Sequence, residues 1–361
     1  MAVPDIVDTH EEAAELELAP LIVRRPLEEY LDRHGLGEGP IEAQRIGEGH
    51  SNLTFLVERG GERLVVRRPP RPPLPPSAHD VLREARVIGA VQDTDVRVPR
   101  VLLACDDESV LGVPFYVMTY IEGTVITGEV PAHLDSPEER RRISVELIDT
   151  LAEVHAADWQ ACGLEGFGKP TGYLDRQLRR FNGLWEHNKT RELPLVQEVA
   201  EWLAANKPES PPATIVHGDY RLGNTMFAND TPARLIAIFD WELATIGDPL
   251  ADVGYLTASW SRPGDDVPEN MFDRLSTTHA EGFLERDEMV ALYEERTGRS
   301  MSDLRWYQAL ALWKAAVFME GNYKRSLAGT TDDPYLKLFD VGVPQLAEAA
   351  HGITKLPAPT G

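Results

Sequence analysis

Two short apolar runs close together, IVHGDYRLGNTMF (215–227) and LIAIFDWE (235–242), constrain this chain more than any other stretch. Each carries an acid or an amide beside its strand-forming residues: Asp219 and Asn224 in the first, Asp240 in the second. Side chains alternate between the two faces of a strand, so Ile236, Ile238 and Asp240 share one face of RLIAIFD. A carboxylate at the end of a buried strand makes a good metal ligand and a poor core residue, because an unpaired buried charge is costly. Each residue alone has a plain reading: Asp219 can cap a turn, Asn224 can pin a loop, Asp240 can end a strand. Their joint arrangement reads instead as one site, in which an acid takes a proton while an amide and a second acid hold a hard cation.

Composition narrows the partners. The 361 residues are enough for one large or two modest domains. With 59 acids against 36 bases and a net charge of -23, the chain lacks the basic footprint of a general nucleic-acid binder. Cys105 and Cys162 stand far apart with no ligand cluster around them, which predicts free thiols in a reducing compartment. There is no secretory leader pattern and no long apolar run, so a cytoplasmic protein without a membrane partner is expected.

Along the chain, residues 1–40 read as an N-terminal extension: an acidic, loose arm over 1–20, then a short helix in RPLEEYLDRHGLG with Leu27, Tyr30 and Leu31 as its buried stripe. Residues 41–122 read as a small antiparallel sheet with one helix. Its strands are NLTFLVE and RLVVR, joined at Gly60-Gly61, then VPRVLLACDD and PFYVMTYIEG. Gly47 and Gly49 before the first strand suit either a plain turn or a close approach to phosphate. Six prolines between 69 and 76 predict a stiff extended connector. Ser77 is the expected cap of the helix SAHDVLREARVIGAVQ, whose apolar stripe Val81, Ala85 and Ile88 carries Glu84 on the same side. That carboxylate is either solvated or paired with Arg67 or Arg68, and strand alternation favours Arg67. From residue 123 to 361 the chain turns mainly helical: PEERRRISVELIDTLAEVHAADW, two helices over 173–206, and three more over 283–298, 302–323 and 334–350. His155 reads as a satisfied structural histidine.

HGDYRLGN (217–224), DWELATIGDPLADVGYL (240–256) and YVMTYIEG (116–123) carry a resemblance to the aminoglycoside phosphotransferase and choline-kinase-like family, over roughly residues 40–350. Asp219 and Asn224 have the acid–amide spacing of a kinase catalytic loop. Within that family the chain most resembles the kinase domain associated with acyl-CoA dehydrogenases. The resemblance implies an α+β, bilobal protein-kinase-like fold, with a small antiparallel-sheet N-lobe and a mainly helical C-lobe. It implies ATP and Mg²⁺ as cofactors, Asp219 as catalytic base with Arg221 beside it, and Asn224 and Asp240 as magnesium ligands. Ser51 and Asn52 fall in the phosphate-covering loop, and Arg67 stands with Glu84 where the nucleotide-binding ion pair belongs. Met118 corresponds to the residue gating the adenine pocket, Thr119 and Ile121 to its hinge, and Asp252 to the aspartate that braces the catalytic loop. One departure is visible: the wider fold has lysine at the position of Arg67, and a planar guanidinium does not simply replace an ammonium.

The expected activity is therefore transfer of phosphate from ATP to a hydroxyl of a small molecule. GDPLADVGYL follows Asp240 almost directly and leaves no room for the long activation segment of a protein kinase. The acceptor stays open between a hydroxyacyl thioester and an aminoglycoside-like alcohol, with residues 166–212 and 257–266 as its expected lining. A nucleotide-binding pseudokinase without turnover is the alternative.

Overall fold

In the computed structural model the described residues are 4–47, 52–72, 79–262, 265, 276–329 and 334–356. The chain divides into two compact units, Met1–Glu122 with Asp240–Glu242, and Gly123–Phe239 with Leu243–Gly361.

In chain order the first unit holds β1 (Ile6–Val7), α1 (His10–Ala14), β2 (Ile22–Val23), α2 (Arg24–Arg33) and β3 (Glu42–Ile46). It continues with β4 (Leu53–Arg59), β5 (Glu62–Arg68), α3 (Val81–Val91), β6 (Val101–Cys105), α4 (Glu108–Leu111) and β7 (Phe115–Thr119). Five of these strands form an antiparallel sheet in the order β3-β4-β5-β7-β6. The β4–β5 turn is Gly60-Gly61, with φ of 55° and 83°. Positive φ at both central residues is what a two-residue hairpin turn demands.

Period-two alternation then sorts the sheet into two faces. Phe55, Val57, Val66, Phe115 and Val117 lie buried with Leu27, Tyr30 and Leu31 of α2. On the other face Thr54, Arg67 and Tyr116 stand side by side across β4, β5 and β7, toward α3. The segment expected to be a loose arm is therefore part of this unit. Ile6 and Val7 pair with Ile22 and Val23, and Leu21 and Ile22 are buried in the same core. The buried Arg68 donates to the Leu21, Pro69 and Leu111 carbonyls and fastens the arm further. Two more expectations change. The sheet gains β3, whose sequence EAQRI is too polar to announce an edge strand. The cap of α3 is Asp80, which accepts the Arg83 N–H at 2.9 Å; residues 73–78, with Ser77 and the second half of the proline run, lie outside the described residues.

The second unit contains β8 (Thr124–Val125), α5 (Pro137–Ala156), α6 (Tyr173–Asn188), α7 (Pro194–Ala205), β9 (Thr214–Val216) and β10 (Thr225–Phe227). After these come β11 (Leu235–Ile238), β12 (Thr245–Gly247), α8 (Leu250–Ser259), α9 (Arg286–Thr297), α10 (Leu304–Leu327) and α11 (Phe339–Lys355). Its strands form two small antiparallel ladders, β11-β10-β8 and β12-β9. The helices carry most of the core, with α10 packed against α6, α8 and α11. Among the described residues no helix is long and apolar enough to cross a membrane.

Helix α8 approaches α10 so closely that a Cβ on Gly254 would stand 2.4 Å from the Tyr307 Cβ and 2.7 Å from its carbonyl carbon. Gly352 on α11, by contrast, has nothing within 4 Å of an added Cβ. Gly254→Ala is therefore expected to destabilise by about 1–3 kcal/mol, as overpacking does. Gly352→Ala is expected to stabilise by up to about 1 kcal/mol through helix propensity. Urea unfolding of the two variants should show midpoints displaced in opposite directions.

Candidate active site

The second unit supplies the loop around Asp219. Strand β9 ends at Val216, and the chain turns through Gly218 at φ 88°, where a Cβ would also meet the Leu243 carbonyl oxygen at 2.9 Å. Both facts require glycine there. Asp252, on the first turn of α8 and wholly buried, accepts the N–H groups of His217 at 2.7 Å and Gly218 at 2.8 Å. His155, on α5, completes the set at 3.2 Å through Nε2, while its Nδ1 lies 2.8 Å from the Tyr293 hydroxyl.

Burial holds the His155 pKa down, against the pull of Asp252. The ring is therefore neutral, with Nε2–H donating to the carboxylate and Nδ1 accepting from the tyrosine. Burial alone would raise the Asp252 pKa, but the His155 hydrogen bond and the Gly218 N–H outweigh it and bring the carboxyl below its ordinary range. The structural role expected of His155 is thus specific: it helps to hold the carboxylate that holds the loop.

His217 fixes the next residue. Its Nε2 lies 2.9 Å from the Phe239 carbonyl and its Nδ1 accepts the Asp219 N–H at 3.1 Å, an arrangement that sets one tautomer. Asn224 then closes the loop, since its Nδ2 donates to the Asp219 carbonyl at 2.8 Å and to Asp219 Oδ2 at 2.7 Å. Its side-chain oxygen points away from those acceptors and takes no hydrogen bond among the described residues. Arg221 Nε lies 3.6 Å from Asp219 Oδ1. Tyr220 anchors the loop from below, donating to the Leu147 carbonyl at 2.7 Å. Asp219, Asn224 and Arg221 are accordingly brought together.

The first unit holds the second group. Arg67 Nε donates to Glu84 Oε2 at 2.9 Å, Nη1 to Thr54 at 3.1 Å, and Nη2 to Asp240 Oδ1 at 2.8 Å. The guanidinium fork thus joins a wholly buried acid to a partly exposed one. Burial pushes the Glu84 carboxyl up, against Arg67. Burial also works against the charged Arg67, but Glu84, Tyr116 and Asp240 outweigh it and keep the guanidinium charged. Asp240 sits at φ 66°, a left-handed conformation rare for a residue with a Cβ.

Ser51 lies outside the described residues. Asn52 is buried, and its amide is engaged with Glu242 at 3.3 Å and His79 at 3.2 Å. Met118 is buried near the end of β7, opposite Val65. Thr119 donates its N–H to the Arg100 carbonyl at 2.9 Å, and Ile121 follows the strand. No motif of the sequence points to Lys314, which is half-buried on α10. A lone cation among apolar neighbours in the run ALWKAAVF is the signal that marks it.

Of the two residues expected to hold magnesium, Asn224 offers an amide oxygen in the second unit and Asp240 a carboxylate in the first. Both are hard oxygens of the kind magnesium prefers. Among the described residues no group of three or more His, Cys, Asp or Glu side chains could hold a metal ion.

A five-stranded sheet carrying the Arg67–Glu84 pair, and a mainly helical unit built around an Asp–Asn loop, make up the α+β architecture of the kinase-like phosphotransferases. Comparison with known proteins narrows the class. The profile of the Phosphotransferase enzyme family matches residues 42–288, and the chain belongs to that family. A Ralstonia eutropha protein of solved structure, named for the aminoglycoside phosphotransferases, is 33% identical with a TM-score of 0.78, covering 91% of this chain and 97% of its own. Acyl-CoA dehydrogenase family member 11 of Gallus gallus is 33% identical over 323 residues, 88% of this chain. The chain spans only 41% of that relative's length. An aminoglycoside phosphotransferase solved in ternary complex with AMP-PNP and hygromycin B shares the fold at 16% identity, with a TM-score of 0.58 over 93% of this chain and 99% of its own.

Asp252→Asn puts an amide N–H where the carboxylate accepts hydrogen bonds. Charge-assisted bonds of this kind are worth about 1.5–3 kcal/mol each, so the variant should lose about 3 kcal/mol or more at neutral pH. The Asp252 pKa is lower folded than unfolded, so its contribution is full above the ordinary carboxylate pKa of about 4 and is lost as pH falls through the folded value. Urea titrations across pH should show the gap between variant and wild type narrowing in acid.

Proposed function

We propose that the chain is an ATP- and Mg²⁺-dependent kinase that phosphorylates a hydroxyl group of a small molecule. The observation that carries this reading is the fixed Asp219 carboxylate, with its loop backbone gripped by Asp252 and its side chain and carbonyl tied by Asn224. A base held this firmly loses little freedom when an acceptor hydroxyl arrives, which is the positioning that phosphoryl transfer asks of a protein.

In this reading Asp219 accepts the hydroxyl proton as the acceptor oxygen bonds to the γ-phosphorus. The bond from that phosphorus to the β–γ bridging oxygen breaks, and ADP leaves. Arg221 stands beside the carboxylate and offers a cation to the transferring group. Asn224 and Asp240 would hold magnesium, which when bound neutralises phosphate charge; two protein oxygens suit an ion bound chiefly through phosphates and water. Arg67, kept charged and anchored by Glu84, would meet the nucleotide phosphates, and the Thr119 and Ile121 backbone beyond Met118 would meet the base. Asn52 enters this scheme through its loop more than through its amide, which is already engaged. Nucleotide use is supported by the AMP-PNP bound in the related solved structure. The acceptor classes that relatives suggest are an aminoglycoside-like alcohol and a hydroxyacyl thioester.

One observation favours a second reading, a nucleotide-binding pseudokinase. Arg67 already holds Asp240, the acid a metal would need. Two variants separate the readings. Asp219→Asn should lower Mg²⁺-dependent ATP consumption with an acceptor by about 10²–10⁴-fold, the scale of general-base catalysis. Arg67→Ala should raise the KM for ATP more than it alters kcat. Nucleotide binding without any acceptor-stimulated consumption across a broad panel of alcohols would favour the pseudokinase.

A further inference from the structure

Lys314 has surroundings that the proposed reaction does not use. Its ammonium lies 5.0 Å from the centre of the Phe181 ring, and α10, which carries it, packs against α6 and α8. Among the described residues it has neither a hydrogen bond nor an ion pair. Burial and the nearby Arg180 push its pKa down to about 8, while Asp252 and Asp219 pull it the other way. Both carboxylates therefore lie close enough for their charges to act on it.

Neither of them is available to it as a partner. Asp252 is occupied by two backbone N–H groups and His155. Asp219 is shared by Asn224 and Arg221. Lys314 and Arg180 stand 5.0 and 5.8 Å from the centre of the same Phe181 ring, two cations together with no ion pair to either among the described residues, in a chain whose net charge is -23. A half-buried ammonium is costly to keep unpaired, and a charge brought by the substrate would offset that cost. An acceptor carrying several ammonium groups would add to the imbalance.

We infer that Lys314, with Arg180 beside it, binds an anionic group of the acceptor, a carboxylate or a phosphate, and so selects hydroxy compounds that carry negative charge. The choice of acceptor rests on the kinase reading above, whereas the anion site does not. Lys314 is a binding residue and takes no proton from the reacting hydroxyl.

The test measures Mg²⁺-dependent ATP consumption with matched short hydroxy compounds ending in a carboxylate, a phosphate, a neutral amide or an ammonium. Wild type, Lys314→Gln and Lys314→Arg are compared. The expected result is a KM for the anionic acceptors about tenfold or more below that for the amide, on the scale of one charge-assisted contact. Lys314→Gln should erase that advantage with kcat held within about threefold, and Lys314→Arg should restore most of it. The better of the two anionic acceptors identifies carboxylate or phosphate as the source. Preference for the amide or the ammonium, or an equal loss on every acceptor in Lys314→Gln, overturns the inference and leaves the kinase reading standing. NMR titration of inorganic phosphate and acetate into the same three proteins provides an arm free of turnover. Binding abolished by Lys314→Gln upholds the anion site even if no acceptor is phosphorylated, and binding unaffected by it, or absent in wild type, overturns it.

Discussion

A buried carboxylate that accepts two consecutive backbone N–H groups is the constraint on which the second unit's chemistry depends. Asp252 sits on the first turn of α8, so the helix fixes its position and the carboxylate fixes the turn at His217–Gly218. A buried anion is tolerable only when its lone pairs are filled, and here His155 supplies the third donor. The dependence runs both ways. Without the loop's N–H groups the acid would keep only the His155 hydrogen bond in the core, and without the acid the turn at Gly218 would lose two of the bonds that hold it. The loop conformation is therefore built into the core rather than laid over it, and Asp219 inherits the core's rigidity.

The same coupling extends into the packing of the helices. Gly254 lets α8 lie against α10 at Tyr307, and Tyr307 donates to Asp248 at 2.8 Å, just ahead of α8. Asp248 in turn accepts the Leu250 N–H at 3.0 Å, capping the start of the helix that carries Asp252. Burial pushes the Asp248 carboxyl up, and the tyrosine and the helix N–H act against it. Asp248 and Asp252 thus divide the work, one seating the helix and the other seating the loop.

Much of this is legible in the sequence because it obeys local rules. The Gly60-Gly61 hairpin, the stripe of α3 and the alternation that puts Arg67 rather than Arg68 beside Glu84 all follow from periods of two and 3.6. What the sequence hides is hidden for equally physical reasons. Residues 4–23 carry no periodicity because they are two-residue strands, a five-residue helix and turns, each too short to show a period, and their order comes from tertiary contacts such as Arg68 on the Leu21 carbonyl. EAQRI at β3 is an exposed edge strand whose backbone pairing, not its side chains, defines it. The engagement of Asn52 with His79 and Glu242 joins residues up to 190 apart in sequence, and no local pattern encodes it. Lys314 escapes notice because a helical stripe is defined by its apolar members, and a single cation within one breaks no period.

Arginine at position 67 is the feature that the fold alone does not explain. A lysine there would present one compact charge, able to meet Glu84 but poorly shaped to meet a second acid and a hydroxyl at the same time. The guanidinium does all three, with separate nitrogens on Glu84, Thr54 and Asp240. Its register explains the reach: Thr54 lies directly across the ladder from Arg67, and Glu84 comes from the helix covering the same face. Asp240 is consequently already paired within the protein, and its left-handed backbone is supported by the same bond. A cation that recruits Asp240 must either share its free oxygen or displace the arginine toward the phosphates. In the first case Arg67 and the metal hold one acid between them, which favours a nucleotide that brings enough negative charge to satisfy both. In the second the Arg67–Asp240 bond is a resting contact that the substrate breaks. In the proposed reading turnover and its absence divide at this bond, and both outcomes leave Glu84 paired, since Arg67 is the one cation that meets its buried charge among the described residues.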